Sequence, residues 1–85
     1  MIVTAAVQIH IYPTGRDVIV PVHRHPQIYA IARAFGLRDD QIRRDMDGFL
    51  TSDGQFLNRE EAARYALEHG QIKEEVELLF SEDLW

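Results

Sequence analysis

The sequence predicts a small α+β fold, in which an N-terminal hairpin and a short second hairpin form an antiparallel sheet packed with two main helices. Three observations carry that expectation. Residues 2–12 alternate with period two, the signature of a strand with one buried face. Ile28, Ile31, Ala32 and Phe35 fall at i, i+3, i+4 and i+7 behind Pro26, the spacing of a helix stripe. Asn58 precedes an alanine-rich helical run with Glu61 three positions on, a close relative of a capping box.

In chain order, Val3, Ala5, Val7, Ile9 and Ile11 make the inward face of the first strand, and Thr4, Gln8, His10 and Tyr12 the outward one. Pro13, Thr14 and Gly15 supply a turn, and Val18-Ile19-Val20 the returning strand. Pro21 cannot donate to a sheet ladder, so that strand is an edge or stops there. The helix that starts at Pro26 ends at Gly36. Asp39 or Asp40 is placed to cap a short helix carrying Ile42 and Met46 inward. Ser52-Asp53-Gly54 then joins Gly48–Thr51 to Gln55–Leu57 as the second hairpin. In the helix after Asn58, Ala63, Ala66 and Leu67 form the buried stripe, Glu60/Arg64 and Arg64/Glu68 are i, i+4 pairs, and Gly70 is the stop. The tail from Gln71 to Trp85 fits a helix or a strand, and its closing tryptophan indicates a terminus that is tied down.

With 85 residues and no cysteine, the chain is sized for one domain, 1–85, without a disulfide framework or a thiolate metal site. No segment approaches the roughly 20 apolar residues of a membrane span. The net charge of −5 disfavours direct nucleic-acid binding. That charge is uneven. Residues 1–46 carry six Arg and four Asp, for +2, whereas residues 47–85 carry three basic and ten acidic side chains, for −7.

His23-Arg24-His25 immediately precedes a helix start, where guanidinium, imidazole and free backbone N–H groups converge as an anion site would require. The same histidines, with His10 or His69, are a weaker candidate for zinc, because no third ligand stands at local spacing. Arg59, just inside a helix where the dipole disfavours a cation, either pairs with an acid or faces a ligand. Glu82 and Asp83 are candidates to accept hydrogen bonds if Leu84 and Trp85 anchor the tail. No nucleophile elbow, P-loop, dinucleotide fingerprint or zinc-protease motif occurs, and no cofactor is implied.

The string from Gly48 to Ala62, reading G-F-x-T-S-x-G-x-F-x-x-R-x-E-A, is followed by Gly70-Gln71 and by Leu79-Phe80-Ser81-Glu82-Asp83-Leu84-Trp85. It resembles a family of small phage and prophage proteins, which also carry an R-H pair at a helix start, here Arg24-His25. The match is close over about the last forty residues and looser before them, and the hairpin from Pro13 to Asp17 departs from the family. The resemblance implies an accessory protein of the host-cell cytoplasm acting against host defence, by sequestering a nucleotide signal or by covering a defence protein's surface. It draws attention to Arg24, His25, Thr51, Arg59 and the Ser-Glu-Asp terminus.

Three functions follow from these readings. The first is binding of an anionic, nucleotide-like small molecule without catalysis, through Arg24, His25, Thr51, Arg59, Glu82 and Asp83, in a homo-oligomer. The second is inhibition of a host defence nuclease or sensor by the acidic C-terminal half. The third is a small phosphoesterase using His23 and His25, which lacks an evident nucleophile or metal set.

Overall fold

The alternation over residues 2–12 does make a strand, and that strand is the centre of the molecule. The computed structural model describes residues 1–85. Strand β1 (Ile2–Ile11) pairs antiparallel with β2 (Arg16–Val22) on one side and with β3 (Ile42–Thr51) on the other, and β3 pairs with β4 (Phe56–Asn58). The sheet order is β2-β1-β3-β4. Pro21 therefore sits on an edge strand, opposite Ala6, where its missing N–H costs little. Helix α1 (Ile28–Ala34) lies in the connection that carries the chain from β2 past β1 to β3, and helix α2 (Arg59–Glu68) follows β4 directly.

Both helices pack on the face that carries Ala5, Val7 and Ile9, joined there by Phe49 and by Ala62, Ala63 and Ala66 of α2. Three alanines on one helix face let α2 approach the sheet closely. Asn58 accepts from the Glu61 N–H at 2.8 Å and Glu61 accepts from the Asn58 N–H at 3.0 Å, so the capping box is complete. The same backward reach recurs at three short 3-10 turns. Gln27 accepts from Arg24 N–H, Gln41 from Arg38 N–H and Asp83 from Phe80 N–H.

Several sequence expectations are corrected. Val3 was expected inside but is 58% exposed, and Ile2 is buried instead, because the β1–β3 pairing shifts register between Ile2 and Thr4. Asp39–Gln41 makes only one 3-10 turn, and Ile42 through Met46 belong to β3; Met46 points outward as the partner of Gln8. Leu67 of α2 is exposed, with Ala62 in its place in the core. Phe35 is 72% exposed although the helix stripe includes it. The tail is neither helix nor strand: it is an irregular, bent strap ending in a 3-10 turn at Ser81–Asp83.

That strap is held at three points. The Gln71 side chain imitates a paired strand, accepting from Ile2 N–H at 2.7 Å and donating to Ile2 O at 3.0 Å. Leu79 is fully buried and its N–H donates to Arg59 O. Trp85 donates from Nε1 to His23 O at 3.3 Å. Between the first two anchors, residues 73–78 are all exposed.

At Gly48 strands β3 and β4 leave no room for a side chain. A Cβ there would overlap Leu57 O and lie 2.6 Å from the Phe56 ring. Gly48→Ala is therefore expected to destabilise the protein by about 1–3 kcal/mol through overpacking. A thermal melt checks this, and an unchanged Tm would mean that β4 yields without cost.

Candidate functional site

Strand alternation puts Asp47 on the helix-covered face of β3, opposite Val7 and two residues before the buried Phe49. A carboxylate there must be paired, since an isolated charge in such a place is strongly unfavourable. Arg44, on the same strand, donates from Nε and Nη2 to the two Asp47 oxygens at 2.7 and 2.5 Å. Arg59, at the first position of α2, donates from Nη2 to Asp47 at 3.0 Å and from Nη1 to Leu79 O at 2.8 Å. Its guanidinium carbon also lies 4.4 Å from the centre of the Phe80 ring. The unusual cation at a helix N-terminus is thus answered by a carboxylate and a carbonyl.

His25 completes the cluster. It is 2% exposed, stands edge-on to Phe49, and its Nε2 is 2.8 Å from Gly48 O while its Nδ1 is 3.3 Å from Arg59 Nη2. A carbonyl on one nitrogen and a guanidinium on the other fit the neutral imidazole with its proton on Nε2. Burial pushes the His25 pKa down, helped by the Arg59 charge and opposed by the bond to Gly48. For Asp47, burial acts to raise the pKa, but the bonds from Arg44 and Arg59 outweigh it and hold the carboxyl below the usual range.

The structure therefore joins two of the residues singled out from sequence, His25 and Arg59, and separates the rest. Thr51 is buried at the far end of β3, where its hydroxyl bonds Asp53 and accepts from Gln55 N–H, both within the hairpin turn. Asp83 caps its own 3-10 turn, and Glu82 is exposed without a partner. Arg24 lies beside His25 in sequence, yet its Nη1 is buried with no hydrogen-bond partner. The seven-residue α1 begins after Gln27 rather than at Pro26, so the free N–H groups expected beside His23 and His25 are displaced along the chain. Sequence reasoning missed Asp47 and Arg44. The signal was available in Phe49, whose burial implies a strand face shared with position 47.

Beside this network an open hollow of about 490 Å3 is lined by Arg44 and Arg59, but also by Asp45, Asp47 and Glu60. It is a mixed surface rather than a basic cleft. The four histidines do not converge. His10 lies 2.7 Å from Asp17, His69 bonds Tyr65 O, His23 is exposed near Trp85, and His25 is buried. Metal-ligating atoms do cluster where a β1–β3 register shift leaves Asp45 unpaired beside His10 and Asp17, all within 4.8 Å. There Arg43 already engages Asp45, at 2.6 Å.

The carboxylates fall into two classes. All seven aspartates are engaged, by arginine, histidine, threonine or a backbone N–H. Of the seven glutamates, Glu60 meets Arg64 and Glu61 caps α2, while Glu68, Glu74, Glu75, Glu77 and Glu82 hold no partner. The acidic half of the chain therefore presents five unpaired carboxylates on the end of α2 and the strap, where Lys73 is the one cation among them.

A protein-family model described as Phage T4 y16D protein matches residues 1–85, and the chain belongs to that family. The family match thus extends over the N-terminal half, which the motif string left loosely aligned. No curated protein and no solved structure matches. No helix is long and apolar enough to cross a membrane.

Two predictions follow from the network. Asp47→Ala leaves two part-buried guanidinium groups facing each other and is expected to cost about 2–4 kcal/mol in urea unfolding. His25 protonates near 6.5 in the unfolded chain and only at lower pH in the fold. Its contribution is complete above 6.5 and is lost progressively as pH falls from there to the lower pKa of the folded state. Urea midpoints at pH 7.5 and 5.5 should show this loss in the wild type and little of it in His25→Gln; equal losses in both would assign the effect elsewhere.

Proposed function

We propose that this member of the Phage T4 y16D family is a binding protein without catalytic activity, whose acidic strap engages a basic surface on a partner protein of the host. The observation that carries this reading is the distribution of free charge. Five unpaired glutamates lie between residues 68 and 82, while the arginines of the first half are largely matched by neighbouring aspartates. Val76, Leu78 and Phe80 are exposed among these glutamates, at 36–46%. Carboxylates interleaved with apolar side chains suit a protein surface, where the charge steers encounter and the apolar groups supply contact. A groove built to hold nucleic acid, as on a defence nuclease or sensor, has the complementary charge.

The mechanism is positional. Arg59 and Leu79 fix one end of the exposed stretch and Gln71 the other, so residues 73–78 are presented with part of their ordering cost already met by the fold. Catalysis by His25 finds no support in the geometry, because both ring nitrogens are engaged.

Arg24 favours a second reading, the binding of an anionic, nucleotide-like molecule, since its buried Nη1 lacks a partner that a phosphate oxygen could provide. A thermal-shift panel of mononucleotides and cyclic oligonucleotides tests it. A ligand at 100 times its Kd adds about 2.7 kcal/mol, and that shift must vanish in Arg24→Ala.

For the leading reading, joint reversal of Glu74, Glu75 and Glu77 to Lys alters only exposed side chains. Tm should stay within a few degrees, while association with the partner captured from host lysate slows by about 10–100-fold. Capture by the wild type should also weaken with salt and with added DNA. Undiminished capture by the triple variant would contradict the proposal.

A further inference from the structure

A different surface, sharing no residue with the Asp47 network or the acidic strap, carries an independent inference. Between α1 and the β1–β2 hairpin lies a groove of about 370 Å3, nine of whose ten lining residues are apolar. Ile9, Val18, Val20 and Ala32 form its walls, and Phe35 stands on its lining. Phe35 occupies the i+7 position of the α1 stripe whose first residue, Ile28, is completely buried, yet it is the most exposed of the large apolar side chains at 72%. Phe35, the cap residue just after α1, therefore stands outside the monomer's core.

We propose that this surface is where two copies of the chain dimerise, the partner's Phe35 entering the groove of one copy and the arrangement being repeated by the two-fold axis. An isologous contact requires that one patch contain both a projection and its receptacle, and here the most exposed ring belongs to the lining of the apolar groove. Charge favours the same occupant. The charged residues closest in sequence to the lining residues Ala32, Phe35 and Leu37 are Arg33, paired with Asp39, and Arg38, paired with Asp40, and none of the five unpaired glutamates lines the groove. Two copies of net charge −5 thus meet on a lining that carries no charged residue. Only 18 of 85 residues are buried in the single chain, so further apolar burial adds appreciably to a small core.

Sedimentation equilibrium of the full chain across micromolar to millimolar concentrations tests this, with the wild type beside Phe35→Glu. The wild type should approach twice the 9.9 kDa chain mass as concentration rises. Phe35→Glu should weaken association about 100-fold, as loss of a central aromatic contact does, with its Tm little changed because the side chain is exposed. In a mixed sample of isotope-labelled and unlabelled chains, the Phe35 ring should show intermolecular NOEs to Val18 and Ala32 methyl groups. A single-chain mass at every concentration would overturn the proposal, as would a dimer indifferent to Phe35→Glu. A co-purified acyl ligand filling the groove of a single chain would overturn it too.

Discussion

A carboxylate on the covered face of a small sheet is the constraint around which the rest of this structure is arranged. Asp47 faces the core side of β3, and two guanidinium groups close on it, Arg44 from its own strand and Arg59 from the start of α2. The position of Arg59 would otherwise be unfavourable, since the helix dipole presents positive charge there. Its bonds to Asp47 and to Leu79 O turn that liability into a junction between strand, helix and tail. Removing either arginine's partner leaves a part-buried charge, which is why the junction acts as a unit rather than as separate pairs. His25 belongs to it only while neutral, bridging Gly48 O and Arg59.

From that junction the distribution of charge follows. Short aspartate side chains hold their local arginines, turns and caps, and contribute little free field. The unpaired glutamates sit on the exposed end of α2 and on a strap anchored by Gln71, Leu79 and Trp85. A chain that was loose after Gly70 would spread the same charges over many conformations, and binding would first have to order them. The anchors make the acidic residues part of a shaped surface.

Much of the fold was legible because it rests on local signals. Alternation in residues 2–12, Asp53-Gly54 between apolar runs, and Asn58 with Glu61 each specify a local conformation regardless of what packs against it. Gly48–Thr51 was legible as one arm of the second hairpin, but the first half of β3 resisted, because Arg43 through Asp47 carry four charges in five residues and break the alternation a strand would show. That segment is stabilised as a strand by its pairing with β1, which is not local information, and by the ion pairs Arg43–Asp45 and Arg44–Asp47. Because that half of the strand was missed, Asp47 and Arg44 were missed with it. Arg59 stood out as a cation at a helix start, and His25 as an imidazole in His23-Arg24-His25 ahead of an expected helix start. Thr51 stood out for its place in a motif string, and the structure engages it in turn formation. Val3 and Phe35 were misplaced for different reasons, a register shift in one case and a helix that stops at Ala34, one residue short of Phe35, in the other.

The central claim is that the Asp47–Arg59 junction holds the strap in place. Amide hydrogen exchange at Leu79, whose N–H donates to Arg59 O, tests this most directly when wild type and Asp47→Asn are compared. The account predicts that Leu79 is protected in the wild type and exchanges much faster in the variant, while the amides of Val7 and Phe49 in the sheet keep most of their protection. Equal Leu79 protection in the two proteins, or rapid exchange there already in the wild type, would show that the strap is not held by this junction.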